Sequence, residues 1–164
     1  MKRLIAITGV MLLSSAIFFV AVGAGAGPSS LPVKGRWSGI GYNVGQGNCP
    51  EGYQQNYAIG KGHMTLTGES EWFSEGCSNL ATGNSEGNAV ITASNGDLIF
   101  LTFNIQLSVP DAAGSGTWYQ VTEITGGTGM FEGVTGGSGT SGGPYRFIGT
   151  IDVWSGTNEG DINF

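Results

Sequence analysis

The segment EITGGTGMFEGVTGGSG, residues 123–139, is the part of the chain that says most about its fold. Glycines stand on both sides of Met130 and Phe131, and this spacing leaves room for a single helical turn but not for a longer helix. We predict that the turn covers one end of a β-barrel and that Phe131 inserts into the core. Neither this segment nor the rest of the chain contains a recognisable set of catalytic residues.

The sequence before this segment predicts a β-hairpin. Residues 88–94 and 98–109 have strand character and flank Asn95-Gly96-Asp97, and Asn-Gly is a strong signal for a two-residue turn. The second strand alternates apolar and polar residues, so one of its faces should be buried. The apolar residues of that face are Ile99, Leu101, Phe103, Ile105, Leu107 and Val109.

The remaining chain also reads as short strands, because no apolar period of 3.6 residues is sustained. Strands are predicted over residues 33–43, 55–69, 117–125, 134–142 and 145–154, with a short one within 70–86 and a polar tail over 155–164. Either face of 55–69 could point inward. Seven or eight strands without helices fit a closed antiparallel eight-stranded barrel or a β-sandwich, and the many glycines within strands favour the barrel.

The first 26 residues have the organisation of a secretory signal peptide. Lys2 and Arg3 precede an apolar run over residues 4–22, and the small residues Ala24-Gly25-Ala26 follow it. We expect residues 1–26 to be cleaved and 27–164 to form one domain in a secreted or periplasmic protein. A retained membrane anchor is the alternative, since the run is close to the about 20 residues that span a bilayer.

The predicted mature chain is strongly acidic. All twelve acidic residues lie after residue 26 and only four of the six basic ones do, which gives residues 27–164 a net charge of −8. Binding to nucleic acid needs a patch of basic side chains. With so few basic residues, we expect neither nucleic acid nor an anionic membrane surface to be a partner of the mature chain.

Cys49 and Cys77 are the only cysteines. In an exported protein this even number predicts a disulfide, which would stabilise the fold by about 3 to 4 kcal/mol in the chain-entropy model. A reactive thiol pair or a metal site is the alternative, but the chain has no CxxC spacing and His63 is its only histidine.

Residues 124–136, ITGGTGMFEGVTG, resemble a segment of the allene oxide cyclases and, more loosely, of plant dirigent proteins. The hairpin over 89–104 also resembles exported bacterial proteins of the same barrel group. Together the similar parts cover roughly residues 87–151, whereas residues 33–86 depart from the plant pattern. The positions that match residue by residue are structural ones: Gly127, Gly129, Phe131, Gly133 and Gly136.

The resemblance implies an eight-stranded antiparallel barrel with a mostly apolar lumen. In the two plant families such a lumen holds a reactive hydrophobic intermediate in one conformation while it cyclises or couples. No catalytic residue can be carried over to this chain, because the families' pocket residues lie on strands that do not align with it. Dimers and trimers both occur in the related families, so the resemblance is compatible with a homo-oligomer.

Four features of the sequence suggest sites that have simpler structural explanations. The spacing Gly127-x-Gly129-x-x-x-Gly133 is similar to nucleotide-binding loops, but no βαβ unit surrounds it. His63 has no nucleophile motif beside it, and Glu123 would be an acid or base only if its face lined the lumen. The carboxylates at 97, 152, 159 and 161 do not have the spacing of a calcium loop.

The sequence therefore predicts an exported barrel that binds a small apolar ligand in its lumen, without a cofactor or metal ion. The alternative is an enzyme, a cyclase or isomerase that steers a reactive hydrophobic intermediate. An empty, shaped lumen is required by that alternative, and a lumen filled with side chains would rule it out.

Overall fold

The computed structural model describes residues 29–164, which form eight antiparallel strands closed into a barrel. The predicted signal peptide lies outside these residues, and the predicted barrel is confirmed over a sandwich. The strands are β1 Ser30–Asn43, β2 Gln54–Met64, β3 Gly68–Asn79, β4 Asn84–Thr92, β5 Leu98–Leu107, β6 Ser115–Gly127, β7 Gly136–Ile148 and β8 Ile151–Asn163.

Strand β8 closes the barrel, since it pairs with β7 on one edge and with β1 on the other. The prediction of one strand over 145–154 and a tail after it was wrong. The chain reverses at Gly149, whose φ of +65° is favourable only for glycine, and the residues expected to form a tail continue β8. Ile162 is nevertheless buried, as its apolar character suggested.

The single strand predicted over 55–69 is also divided in two. The chain turns after Met64, and Gly68 begins β3 with a φ of +67°. In β2 the small and apolar face is the inward one, carrying Ala58, Gly60, Gly62 and Met64. The periodicity of the sequence alone did not determine which of the two faces points inward.

One end of the barrel is closed by the predicted helical turn. A 3-10 turn over Gly129–Phe131 places the Phe131 side chain in the core with 1% of its surface exposed. Ile99 and Ile162 are equally buried beside it, and the core continues along β5 through Leu101 and Phe103. The expected role of Phe131 as a plug is therefore confirmed.

The Asn95-Gly96 hairpin is fastened to this turn. The carboxylate of Asp97 accepts hydrogen bonds from the Met130 backbone N–H at 2.9 Å and from the Asn95 side chain at 2.7 Å. Thr128 adds two bonds to Leu98, one of them through its hydroxyl. The two strongest local signals of the sequence thus stabilise each other at the closed end.

Replacing Gly129 with Val should destabilise the protein. Gly129 has a φ of +58°, and a β-carbon there would collide with the Asp97 carboxylate. The combined strain should lower the free energy of unfolding by about 1 to 3 kcal/mol in urea denaturation. Gly133→Val is the matched control, because Gly133 also has a positive φ, +91°, but its β-carbon would meet open space.

The loss should be larger for Gly129→Val than for Gly133→Val. An equal loss would show that the backbone conformation alone matters and that the Asp97 contact does not. Unchanged stability of Gly129→Val together with altered ligand binding would show that the segment is functional rather than architectural.

Candidate functional site

The middle of the barrel is filled by four tryptophan side chains, and three of them, Trp37, Trp118 and Trp154, rest on glycines of other strands. A β-carbon at Gly62 would lie 2.5 Å from the Trp37 ring, and one at Gly60 would lie 2.6 Å from the Trp154 ring. Gly156 has the same relation to Trp118, at 2.5 Å. Glycine at these inward positions therefore provides the space that the indoles occupy.

The tryptophans form two edge-to-face pairs, the arrangement that aromatic rings favour. Trp37 and Trp72 have centroids 6.1 Å apart, and Trp118 and Trp154 have centroids 5.9 Å apart. The indole N–H of Trp37 donates to Asn158 at 3.1 Å, and that of Trp118 donates to the Ser155 carbonyl at 3.1 Å. These bonds fix two of the four rings.

The side chains leave part of the lumen empty. A cavity of about 170 Å³ runs along the lumen, and its lining extends from Asn43 and Leu80 at the open end to Ile99 and Ile162 near the end that Phe131 closes. It is similar in volume to an engineered apolar cavity of about 150 Å³ that binds benzene. The space fits a molecule of about one ring and is smaller than the about 300 to 1,000 Å³ of typical drug-sized pockets.

The open end of the lumen is polar on β1 to β4. Asn56 on β2 donates its amide to the hydroxyls of Ser78 on β3 and Ser85 on β4. Asn43 on β1 also lines the cavity, and its Oδ1 is buried without a hydrogen-bond partner among the described residues. The apolar lining lies on β5 and β7 and includes Ile105, Leu107 and Phe147.

Asp152, on the inward face of β8, adds a charge to this end. Its carboxylate rests on Gly41, where a β-carbon would collide with it. Burial raises the pKa of this carboxyl group above its usual range, and a hydrogen bond from its own backbone N–H offsets only part of that shift. Asp152 is therefore the lumen residue best suited to bind or exchange a proton.

Tyr145 packs close to Asp152 but is engaged by the protein. Its hydroxyl donates to the Ser108 carbonyl at 2.7 Å, and its ring lies edge-on to Phe147 at 5.2 Å. Burial raises the pKa of the Tyr145 phenol, and the Ser108 bond opposes this effect. Tyr145 thus shapes the cavity wall rather than offering a free polar group.

The residues singled out in the sequence do not meet in the lumen. His63 is exposed on β2, where its Nδ1 lies 3.2 Å from the Glu69 carboxylate. Glu123 faces solvent on β6, so the condition for its acting as an acid or base is not met. Gly127, Gly129 and Gly133 belong to the closed end, where Gly127 lies against Phe131.

Sequence reasoning missed Asp152 as a lumen residue. The predicted strand over 145–154 grouped Ile151 and Val153 with the apolar face, but both point outward. The alternation of the sequence could have indicated the inward face, because every second residue from Asp152 to Ile162 lies on the inward face of β8. These residues are Trp154, Gly156, Asn158, Gly160 and Ile162.

The predicted disulfide is present and connects Cys49, in the loop after β1, to Cys77 on β3, with Cα atoms 5.6 Å apart. It ties the long loop at the open end to the barrel wall. A structural disulfide is typical of a protein that folds in an oxidising compartment. The described residues contain no free cysteine.

The outer wall carries a row of apolar side chains that are cross-strand neighbours. It runs from β8 to β5 through Val153, Ile40, Ile59, Phe73, Val90 and Phe100. The Lys61–Glu71 ion pair, at 3.0 Å, lies beside the row. Since this surface is open to solvent and the lumen is enclosed by strands, the lumen is the better candidate for binding a small ligand.

No helix in the described residues is long and apolar enough to cross a membrane. Within the same residues, no group of three or more His, Cys, Asp or Glu side chains is placed to hold a metal ion. Comparison of the chain with protein-family models, with curated proteins and with solved structures found no match. The candidate site therefore depends on the geometry of this chain alone.

Replacing Gly62 with Ala should destabilise the barrel, because the new methyl group would overlap both the Trp37 ring and the Arg36 backbone carbonyl. Overpacking of this kind should lower the free energy of unfolding by about 1 to 3 kcal/mol in urea denaturation. Gly139→Ala is the control, since its β-carbon would lie farther from its neighbours, 3.0 Å from the Thr122 hydroxyl and 3.2 Å from the Glu159 backbone carbonyl, and would meet no aromatic ring. Equal stability of the two variants would contradict the proposed role of glycine beneath tryptophan.

Replacing Asp152 with Asn should stabilise the protein near neutral pH. Because the pKa of Asp152 is raised on folding, its contribution to stability is largest in acid, where the carboxyl is protonated, and is lost as the pH rises through the folded pKa. The stability gain of Asp152→Asn should therefore be small in acid and grow towards neutrality. Thermal unfolding across pH measures this difference.

Glu123→Gln is the control for the Asp152 variant, as it removes one negative charge from an exposed side chain. A similar pH profile for both variants would show that net charge, not burial at position 152, is responsible.

Proposed function

We propose that this protein is an exported barrel that binds a small apolar molecule in its lumen. The observation that carries the proposal is the cavity of about 170 Å³ bounded by aromatic and aliphatic side chains. A largely apolar space of that size favours a ligand that removes its own apolar surface from water. Export is supported by the disulfide and by the organisation of residues 1–26.

The position of the cavity also supports binding. The closed end is sealed by Phe131, whereas the cavity reaches the loops at the opposite end, where Leu80 is exposed. A ligand could enter there without unpairing any strand. The barrel would supply a rigid, preformed wall, so little free energy would be lost in ordering the protein.

The second candidate function is a cyclase or isomerase that holds a reactive hydrophobic intermediate. Two observations favour it: the lumen is not filled with side chains, and Asp152 provides one carboxyl group whose raised pKa suits proton exchange. Membership of the allene oxide cyclase and dirigent-like barrel group would accord with this candidate. Turnover of a defined intermediate that is lost in Asp152→Asn would establish catalysis.

Filling the cavity should abolish binding while the barrel remains folded. Ser141 is a small residue of β7 that lines the cavity, and Leu in its place would occupy a large part of the space. Thr140→Leu is the matched control, because Thr140 is the neighbouring residue on the same strand and is not part of the lining.

The measurement is a thermal shift against benzyl alcohol and related one-ring compounds. At 100 times the dissociation constant a ligand stabilises the native state by about 2.7 kcal/mol, which is easily detected. The wild type and Thr140→Leu should respond alike, and Ser141→Leu should not respond. Equal responses from all three proteins would place binding outside the lumen.

A further inference from the structure

The charge of the cavity lining is one-sided. Asp152 is the carboxylate on the inward face of β8, whereas Glu159 and Asp161 border the cavity from positions of the outward face, and among the described residues that line it none is Lys, Arg or His. Residues 27–164 as a whole are acidic, with four basic side chains against twelve acidic ones. The potential inside the lumen is therefore negative, and nothing in the lining would neutralise an entering carboxylate.

Two hydrogen-bond acceptors at the open end receive no hydrogen bond from another residue in the described part of the chain. The Asp152 carboxylate receives no hydrogen bond from any other residue in the described part of the chain, and the buried Oδ1 of Asn43 receives none at all. Gly41 is the inward position next to Asn43 on β1, and it is the cross-strand partner of Asp152. Both acceptors thus belong to neighbouring inward positions of β1 and β8.

A buried acceptor without a donor is costly, and the cost is greater for a charged group. A ligand that carries N–H donors and a positive charge would remove both penalties at once. Water or a neutral hydroxyl could donate a hydrogen bond, but neither would offset the charge of the carboxylate. The donor-poor end of the lumen therefore favours an ammonium group over a hydroxyl or a carboxylate.

The neighbouring residues suit the rest of such a ligand. Trp154 occupies the inward position after Asp152 on β8, and it forms an edge-to-face pair with Trp118. Indole faces attract cations and also pack well against another aromatic ring. The volume of about 170 Å³ restricts the apolar part to about one ring.

We infer that the ligand is a small aromatic amine, bound as its cation with the ammonium group at Asp152 and the ring towards the tryptophans. This inference rests on the proposed lumen-binding function and narrows it to one chemical class. It excludes free fatty acids and aromatic carboxylates, for which the lining offers no positive partner.

The test compares three one-ring probes that differ chiefly in charge: benzylamine, benzyl alcohol and benzoate. Calorimetry at neutral pH and low salt should give a dissociation constant for benzylamine at least about tenfold below that for benzyl alcohol, with benzoate weakest. In Asp152→Asn, benzylamine should lose this advantage while benzyl alcohol binds as before. Glu123→Gln, which removes an exposed charge of the same sign, should retain the wild-type order.

The outcomes separate this inference from the proposed function. Binding of none of the three probes would remove the proposed function itself. Binding of benzyl alcohol or benzoate as tightly as benzylamine would overturn the amine inference and leave lumen binding intact, as would an advantage of benzylamine that survives in Asp152→Asn. If Asp152→Asn does not fold, the order of the three probes on the wild type decides the question alone.

Discussion

The packing of tryptophan onto glycine is the contact on which the rest of the barrel depends. Eight strands enclose a lumen only wide enough for a single layer of side chains, and an indole needs more room than an alternating wall of β-carbons would leave. Trp154 obtains that room from Gly39 and Gly60 on the two strands beyond it, and Trp37 obtains it from Gly62. Glycine at these inward positions is thus a requirement of the large aromatic core, because any other residue would place a β-carbon in the space that the Trp37, Trp118 or Trp154 ring occupies.

This arrangement also determines where the cavity lies. The tryptophans occupy the middle of the lumen and Phe131 seals one end, so the cavity runs along the lumen beside these rings and reaches the loops at the other end. There polar residues of β1 to β4 face Ile105, Leu107 and Phe147, and Asp152 rests on Gly41 as Trp154 rests on its glycines. Glycine on the neighbouring strand therefore makes room for the Asp152 carboxylate in the cavity wall, as it does for the large rings in the core. The resulting desolvation raises the pKa of Asp152.

Much of the fold could be predicted from the sequence because the informative signals were local. The Asn95-Gly96 turn, the alternation of β5 and the short turn before Phe131 each depend on residues within a few positions of one another. The prediction failed between residues 145 and 163, where glycine, Asp152 and Asn158 occupy the inward face of β8 and Ile151 and Val153 face solvent. An apolar pattern assigns the buried face wrongly when that face is made of glycines and polar groups.

The sequence by itself determined the strand-rich class, the disulfide partners, the acidic charge and the single turn that carries Phe131. These properties follow from composition and short-range spacing. Only the tertiary structure decided which face of β2 and β8 points inward, that the chain end closes the barrel, and that Asp152 rather than Glu123 borders the cavity. The physical reason is that a strand repeats every two residues and so offers two faces, and the choice between them is made by neighbours distant in the chain, such as the glycines that must lie beneath Trp154.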